Sequence, residues 1–156
     1  RSTARLAVRA DRMTPTNLNM EKIMHSNVRD IVHEATRASD EERVSFPQVV
    51  KSLVAAGVER YHADLTRAEK IYYLPNGEAE LVANHALAEP PAAAFSADGV
   101  AAALRAIQGG AIPYRAFCAR IAAAGCVGYH VFISGRRAVY YGRTGDSYTE
   151  RFPGAQ

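Results

Sequence analysis

The 156-residue chain is 48% hydrophobic and 22% charged, a globular balance that excludes a disordered or collagen-like polymer. Its apolar runs are short and interrupted, far below the roughly 20 residues that a membrane-spanning helix needs, so no membrane role is expected. The net charge of +3 sits wholly in residues 1–19, where Arg1, Arg5, Arg9 and Arg12 stand against one acid, Asp11. The neutral remainder lacks the field for sequence-independent phosphate affinity, which argues against nucleic-acid binding by the body of the chain.

Residues 1–19 are expected to form a basic tail, disordered or non-native, with Met13 or Met20 as a natural start. Residues 20–153 then form one domain. Its first helix, 20–38, sets Met20, Ile23, Met24, Val28, Ile31, Val32 and Ala35 on one face. A second helix starts at the capping-box pattern Ser45-Phe46-Pro47-Gln48 and stops at Gly57. The period then changes from helical to two: Tyr61, Ala63 and Leu65 alternate with Arg60, His62 and Asp64. A polar turn, Thr66–Glu69, leads into a returning strand around Ile71–Tyr73, and residues 79–83 can add a third strand. Residues 84–95, with Pro90-Pro91, read as a connector. A helix over 97–108 follows an N-cap at Ser96, and Pro113 opens a fourth, which ends at Gly125. Strands around 129–133, 139–141 and 147–151 complete the chain.

A shift of 68 residues lays 55–77 on 123–145 without a gap. It yields eight identities: Ala55/Ala123, Ala56/Ala124, Gly57/Gly125, Tyr61/Tyr129, His62/His130, Tyr72/Tyr140, Tyr73/Tyr141 and Gly77/Gly145. Ordinary composition gives roughly one or two. The expected fold class is therefore α+β: a duplicated α-α-β-β unit, residues 20–83 and 92–151, with one antiparallel sheet, helices on one face and a pseudo-twofold axis.

Strand parity sends neighbouring side chains to opposite faces. Tyr61, Ala63, Leu65, Ile71 and Tyr73, with Tyr129, Val131, Ile133, Val139 and Tyr141, are expected beneath the helices. His62, Tyr72, His130 and Tyr140 are then expected to share the open face, with Arg60 and Asp64 beside them. Cross-strand aromatic pairs stabilise sheets by about 0.2–1 kcal/mol without any ligand, so this pattern alone does not require a site. As a site it suits a flat ligand, a peptide or a partner sheet.

Other features read as structural. Cys118 and Cys126 align with Val50 and Val58, which marks both as buried packing thiols in a reducing cytoplasm. Gly142-Arg143-Thr144-Gly145-Asp146-Ser147 lacks the lysine ending of a phosphate loop and reads as a turn. His25, His33 and His85 are scattered and suggest no metal site; no cofactor is expected.

The segments Gly57-Val58-Glu59-Arg60-Tyr61-His62-Ala63-Asp64 and Lys70-Ile71-Tyr72-Tyr73 resemble a bacterial and prophage protein family typified by YbcV and YdfO. This family is a domain of unknown function (1398), sometimes labelled phage envelope protein. Tyr140-Tyr141-Gly142 and Gly145-Asp146-Ser147-Tyr148 fit the same pattern, and the resemblance covers residues 22–153. It implies a compact α+β fold and brings no catalytic residues. The reading that follows is a non-enzymatic binding module for an unidentified protein or small molecule. The alternatives are a small hydrolase- or isomerase-like enzyme with His62 or His130 as general acid/base, and nucleic-acid binding through the arginine-rich tail. Exposed sheet edges permit a homodimer.

Overall fold

The computed structural model describes residues 26–152; the basic tail and the first turns expected of the helix over 20–38 lie outside them. Four helices and six strands follow in the order α1 (Ser26–Asp40), α2 (Phe46–Ala55), β1 (Arg60–Asp64), β2 (Glu69–Tyr73), β3 (Ala79–Ala83), α3 (Ala97–Gln108), α4 (Tyr114–Ala123), β4 (Cys126–Phe132), β5 (Arg137–Gly142) and β6 (Ser147–Arg151). Among the described residues no helix is long and apolar enough to cross a membrane.

Local chemistry explains the helix limits. The Ser45 hydroxyl accepts from the Gln48 amide while the Gln48 side chain accepts from the Ser45 amide at 2.8 Å, closing a reciprocal cap on α2. Ser96 caps α3 by accepting from the Gly99 amide at 3.0 Å. Behind α2 and α4 the chain reverses at Gly57 and Gly125, whose φ of +81° and +89° lie where a Cβ is disfavoured.

All six strands form one antiparallel sheet in the order β3-β2-β1-β4-β5-β6. The two edge strands are the ones expected over 79–83 and 147–151. One face of the sheet is covered: Tyr61, Ala63, Tyr129 and Val131 join Val32 of α1, Leu53 of α2, Val100 of α3 and Ile121 of α4 in a shared apolar core. Burying such side chains contributes about 1.5–3 kcal/mol each and holds the helices on the sheet.

The first strand of each hairpin has the expected phase, and the returning strand has the opposite one. Tyr72 and Tyr140 lie beneath the helices, 1% and 5% exposed, whereas Ile71, Tyr73, Val139 and Tyr141 point to the other face. The turns decide this. Asp64 pairs with Glu69 and Phe132 with Arg137, so each turn encloses four residues, 65–68 and 133–136. An even count sets odd-numbered β1 residues opposite even-numbered β2 residues, and Tyr61, not His62, faces Tyr72. Ala68 and Arg136 close these turns in the left-handed region, at φ +55° and +52°. The cost falls on Lys70, which this phase carries into the core.

Candidate functional site

Strand pairing arranges the open face into rows that cross the sheet. The central row runs Leu81, Ile71, His62, His130, Val139, Thr149. The next runs Ala79, Tyr73, Arg60, Phe132, Arg137, Arg151. Of the six residues expected on this face, His62, His130, Arg60 and Asp64 are there. Tyr72 and Tyr140 are not; their places are taken by Tyr73 and Tyr141, and Phe132 joins them.

His62 and His130 sit directly opposite each other on β1 and β4, their ring centroids 4.3 Å apart. The His62 Nε2 lies 2.7 Å from the Tyr141 hydroxyl. Tyr141 reaches it by passing over Gly128, where an added Cβ would come within 2.7 Å of the tyrosine oxygen. Phe132 lies nearly parallel to His130, at 5.6 Å and 14°. Arg60 stacks its guanidinium 3.8 Å from the centre of the Tyr73 ring. Beside these, Glu59, Arg60, Phe132, Ser134, Gly135 and Arg137 line a shallow groove of about 510 Å³.

Burial lowers the pKa of both imidazoles below the ordinary value; for His130 the neighbouring His62 and Arg60 add to the effect. Both rings are therefore neutral at pH 7, each with one donor and one acceptor nitrogen. His130 Nδ1 is buried without a hydrogen-bond partner. Asp64 is otherwise engaged: its Oδ1 accepts from the Thr66 and Arg67 amides at 3.0 and 2.9 Å and so shapes the β1–β2 turn. Among the described residues neither imidazole hydrogen-bonds a carboxylate that would orient it as a catalytic base. The face is built to stack and hydrogen-bond.

A second polar cluster lies inside the molecule, and sequence spacing gave no sign of it. The His85 Nδ1 is 2.7 Å from Asp40 Oδ1, and the His85 amide donates to Asp40 Oδ2 at 3.1 Å. The His85 ring meets Tyr114 edge to face at 5.6 Å, and the Lys70 ammonium lies 4.5 Å over the same tyrosine ring. Cys118, one helical turn beyond Tyr114 on α4, is fully buried. The Asp40 carboxylate and, next, the Cys118 thiol raise the His85 pKa to about 9. Burial lowers that of Lys70 to about 8. Tyr114 and Tyr129 close the cluster with hydroxyls 2.8 Å apart. His85, read from the sequence only as one of three scattered histidines, is thus paired with the acid that ends α1. Among the described residues no group of three or more His, Cys, Asp or Glu side chains is arranged to hold a metal ion.

The chain matches no protein-family model, and none of the curated proteins matches it.

Proposed function

We propose that the chain is a non-enzymatic binding module whose ligand lies across the open face of the sheet, over His62, His130, Phe132 and Tyr141. The observation that carries this reading is His130 Nδ1, a polar atom without a partner beside stacked rings. A buried polar atom left unpaired costs about 1–3 kcal/mol, and a ligand that supplies the missing hydrogen bond recovers it. Phe132 offers a flat surface, and Arg60 and Arg137 offer positive charge in the adjoining groove. A planar group carrying an acid fits this combination.

The proposal extends to ancestry. Descent from a duplicated α-α-β-β unit is supported by a strand order that reads alike from either edge and by the two aligned histidines meeting at its centre. Kinship with the prophage family, and a cytoplasmic setting, rest on the motif and cysteine readings.

The test is titration of 15N-labelled protein with a panel of aromatic carboxylates and nucleoside monophosphates. Shifts centred on His62, His130, Phe132 and Tyr141, with affinity reduced at least about tenfold by His130→Ala with Arg60→Ala, are expected for loss of a charge-assisted contact. Binding that perturbs only helix residues, or that the double variant leaves intact, would show the face to be structural.

A further inference from the structure

We propose that Arg137 and Arg151 form a phosphate subsite on the open face, which makes the ligand a planar ring joined to a phosphate monoester; the assignment rests on that face being a ligand surface. The body of the chain is neutral in sum, but strand register sorts its charges. Arg60, Arg137 and Arg151 share the row on one side of the histidines. Asp64 and Glu69 stand in the row on the other side, with Ala83, Gly128, Tyr141 and Ser147. The neutral sum conceals a basic strip.

Strand pairing brings two of these arginines as close as a sheet allows. The Phe152 amide donates to the Arg136 carbonyl at 3.0 Å, so residues 136 and 152 form a hydrogen-bonded pair. The next pair, Arg137 and Arg151, is therefore of the non-hydrogen-bonded kind, in which opposed Cα atoms lie only about 4.5 Å apart. Like charges directly opposite each other destabilise a sheet. Among the described residues no acid makes an ion pair with either arginine. Glu150, beside Arg151 in the chain, lies on the opposite face and accepts from the Gln108 side chain at 3.1 Å and the Tyr148 hydroxyl at 3.4 Å. Glu59, the acid in the groove lining, stands 3.7 Å from Arg60 instead. Two uncompensated positive charges thus sit side by side.

Charge and reach select the ligand. A carboxylate brings one negative charge, whereas a phosphate monoester carries roughly −1.5 to −2 at neutral pH and three strong acceptor oxygens. Two guanidiniums match the second, and their fork geometry suits its oxygens. Arg137 Nε donates to the Gly135 carbonyl at 3.3 Å, which steadies that guanidinium while its terminal nitrogens face the ligand surface. Phe132 pairs with Arg137 across β4 and β5 and supplies the stacking surface. From Phe132 to the midpoint of the arginine pair is one and a half strand spacings, about 7 Å. A sugar or a linker of similar length spans that gap, as in a mononucleotide.

The experiment titrates the 15N-labelled full chain, at matched ionic strength, with inorganic phosphate, phenyl phosphate, benzoate, a nucleoside and its monophosphate. Inorganic phosphate is expected to shift the side-chain signals of Arg137 and Arg151 and to raise the melting temperature by relieving their repulsion. Phenyl phosphate should bind at least about tenfold more tightly than benzoate, the gain of a charge-assisted contact. Arg151→Gln, at an exposed position of an edge strand, should abolish that preference and leave binding of the uncharged nucleoside unchanged. It should also melt no lower than the parent, since the repulsion is gone. Equal affinity for phenyl phosphate and benzoate would overturn the subsite and spare the face. So would a preference that survives in Arg151→Gln, or phosphate shifts no larger at the pair than at the exposed Arg105 and Arg120. An oligothymidylate that bound more tightly than the nucleoside monophosphate would overturn the monoester, assigning the arginines to a strand of phosphodiesters. Failure of the face itself looks different: every ring-bearing probe leaves His62, His130 and Phe132 unmoved, and the ligand assignment falls with it.

Discussion

His62 of β1 and His130 of β4 stand opposite each other across the central seam of the sheet, their ring centroids 4.3 Å apart and their planes tilted by 41°. Two cations at this distance would repel, and partial burial further disfavours charging them. The seam therefore couples the open face to pH.

Both histidines have folded pKa values below the ordinary 6.5, so the native state prefers them neutral. Their contribution is fully present above about pH 6.5 and is lost as pH falls through the lowered values, because the unfolded chain then binds more protons. His85 has the opposite sign: its pKa is raised to about 9, so its contribution is full below about 6.5 and fades as pH rises towards 9. Histidine 15N titration should place His85 well above the other two. Asp40→Asn should bring His85 down and leave His62 and His130 in place; a His85 titrating near 6.5 in the parent protein would contradict the Asp40 pairing.

Gly128→Ala tests how Tyr141 reaches His62. The new Cβ would lie 2.7 Å from the Tyr141 hydroxyl and 2.8 Å from the Ala63 carbonyl, and the latter is backbone that cannot swing away. Overpacking of this kind costs about 1–3 kcal/mol. A lower melting temperature is expected, together with an upward shift of the His62 pKa as its ring becomes more exposed. Unchanged thermal stability would mean that the seam relaxes freely.

Gly57 and Gly125 share the same left-handed conformation and differ in their surroundings. A Cβ at Gly57 meets nothing within 4 Å, whereas one at Gly125 would come within 2.1 Å of the Ala94 carbonyl in the connector. Gly57→Ala should cost about 1–2 kcal/mol from backbone strain alone. Gly125→Ala should cost clearly more and loosen residues 92–96, which hydrogen exchange would detect at the Ser96 amide bound to Ala124. Equal melting shifts for the two variants would refute the contact.

The adjacent tyrosines Tyr72 and Tyr73 should respond very differently to truncation. Tyr72 is buried and donates to the Thr36 hydroxyl at 2.7 Å, while Thr36 itself donates to the Val32 carbonyl. Tyr72→Phe should cost about 1 kcal/mol for that hydrogen bond. Tyr72→Ala should cost about 3–5 kcal/mol through the cavity it leaves. Tyr73→Ala removes only the stack with Arg60, about 0.5–1 kcal/mol. Denaturant unfolding measures all three, and a Tyr73→Ala loss matching that of Tyr72→Ala would place both rings in the core.

Local signals in the chain were enough for the helices and strands. Ser45, Gln48 and Ser96 cap through their nearest backbone neighbours, and Gly57 and Gly125 reverse the chain on their own conformational freedom. The alternation Tyr61, Ala63, Leu65 has one apolar phase, and it alone determined which side of β1 is buried; Tyr129, Val131 and Ile133 did the same for β4. On the returning strands Ile71 and Tyr73 compete with Tyr72, and Val139 and Tyr141 with Tyr140, so periodicity is silent and the four-residue turns choose. Only packing decided the rest: it brings Asp40, His85 and Tyr114 together from three distant stretches, through contacts that no spacing along the chain encodes.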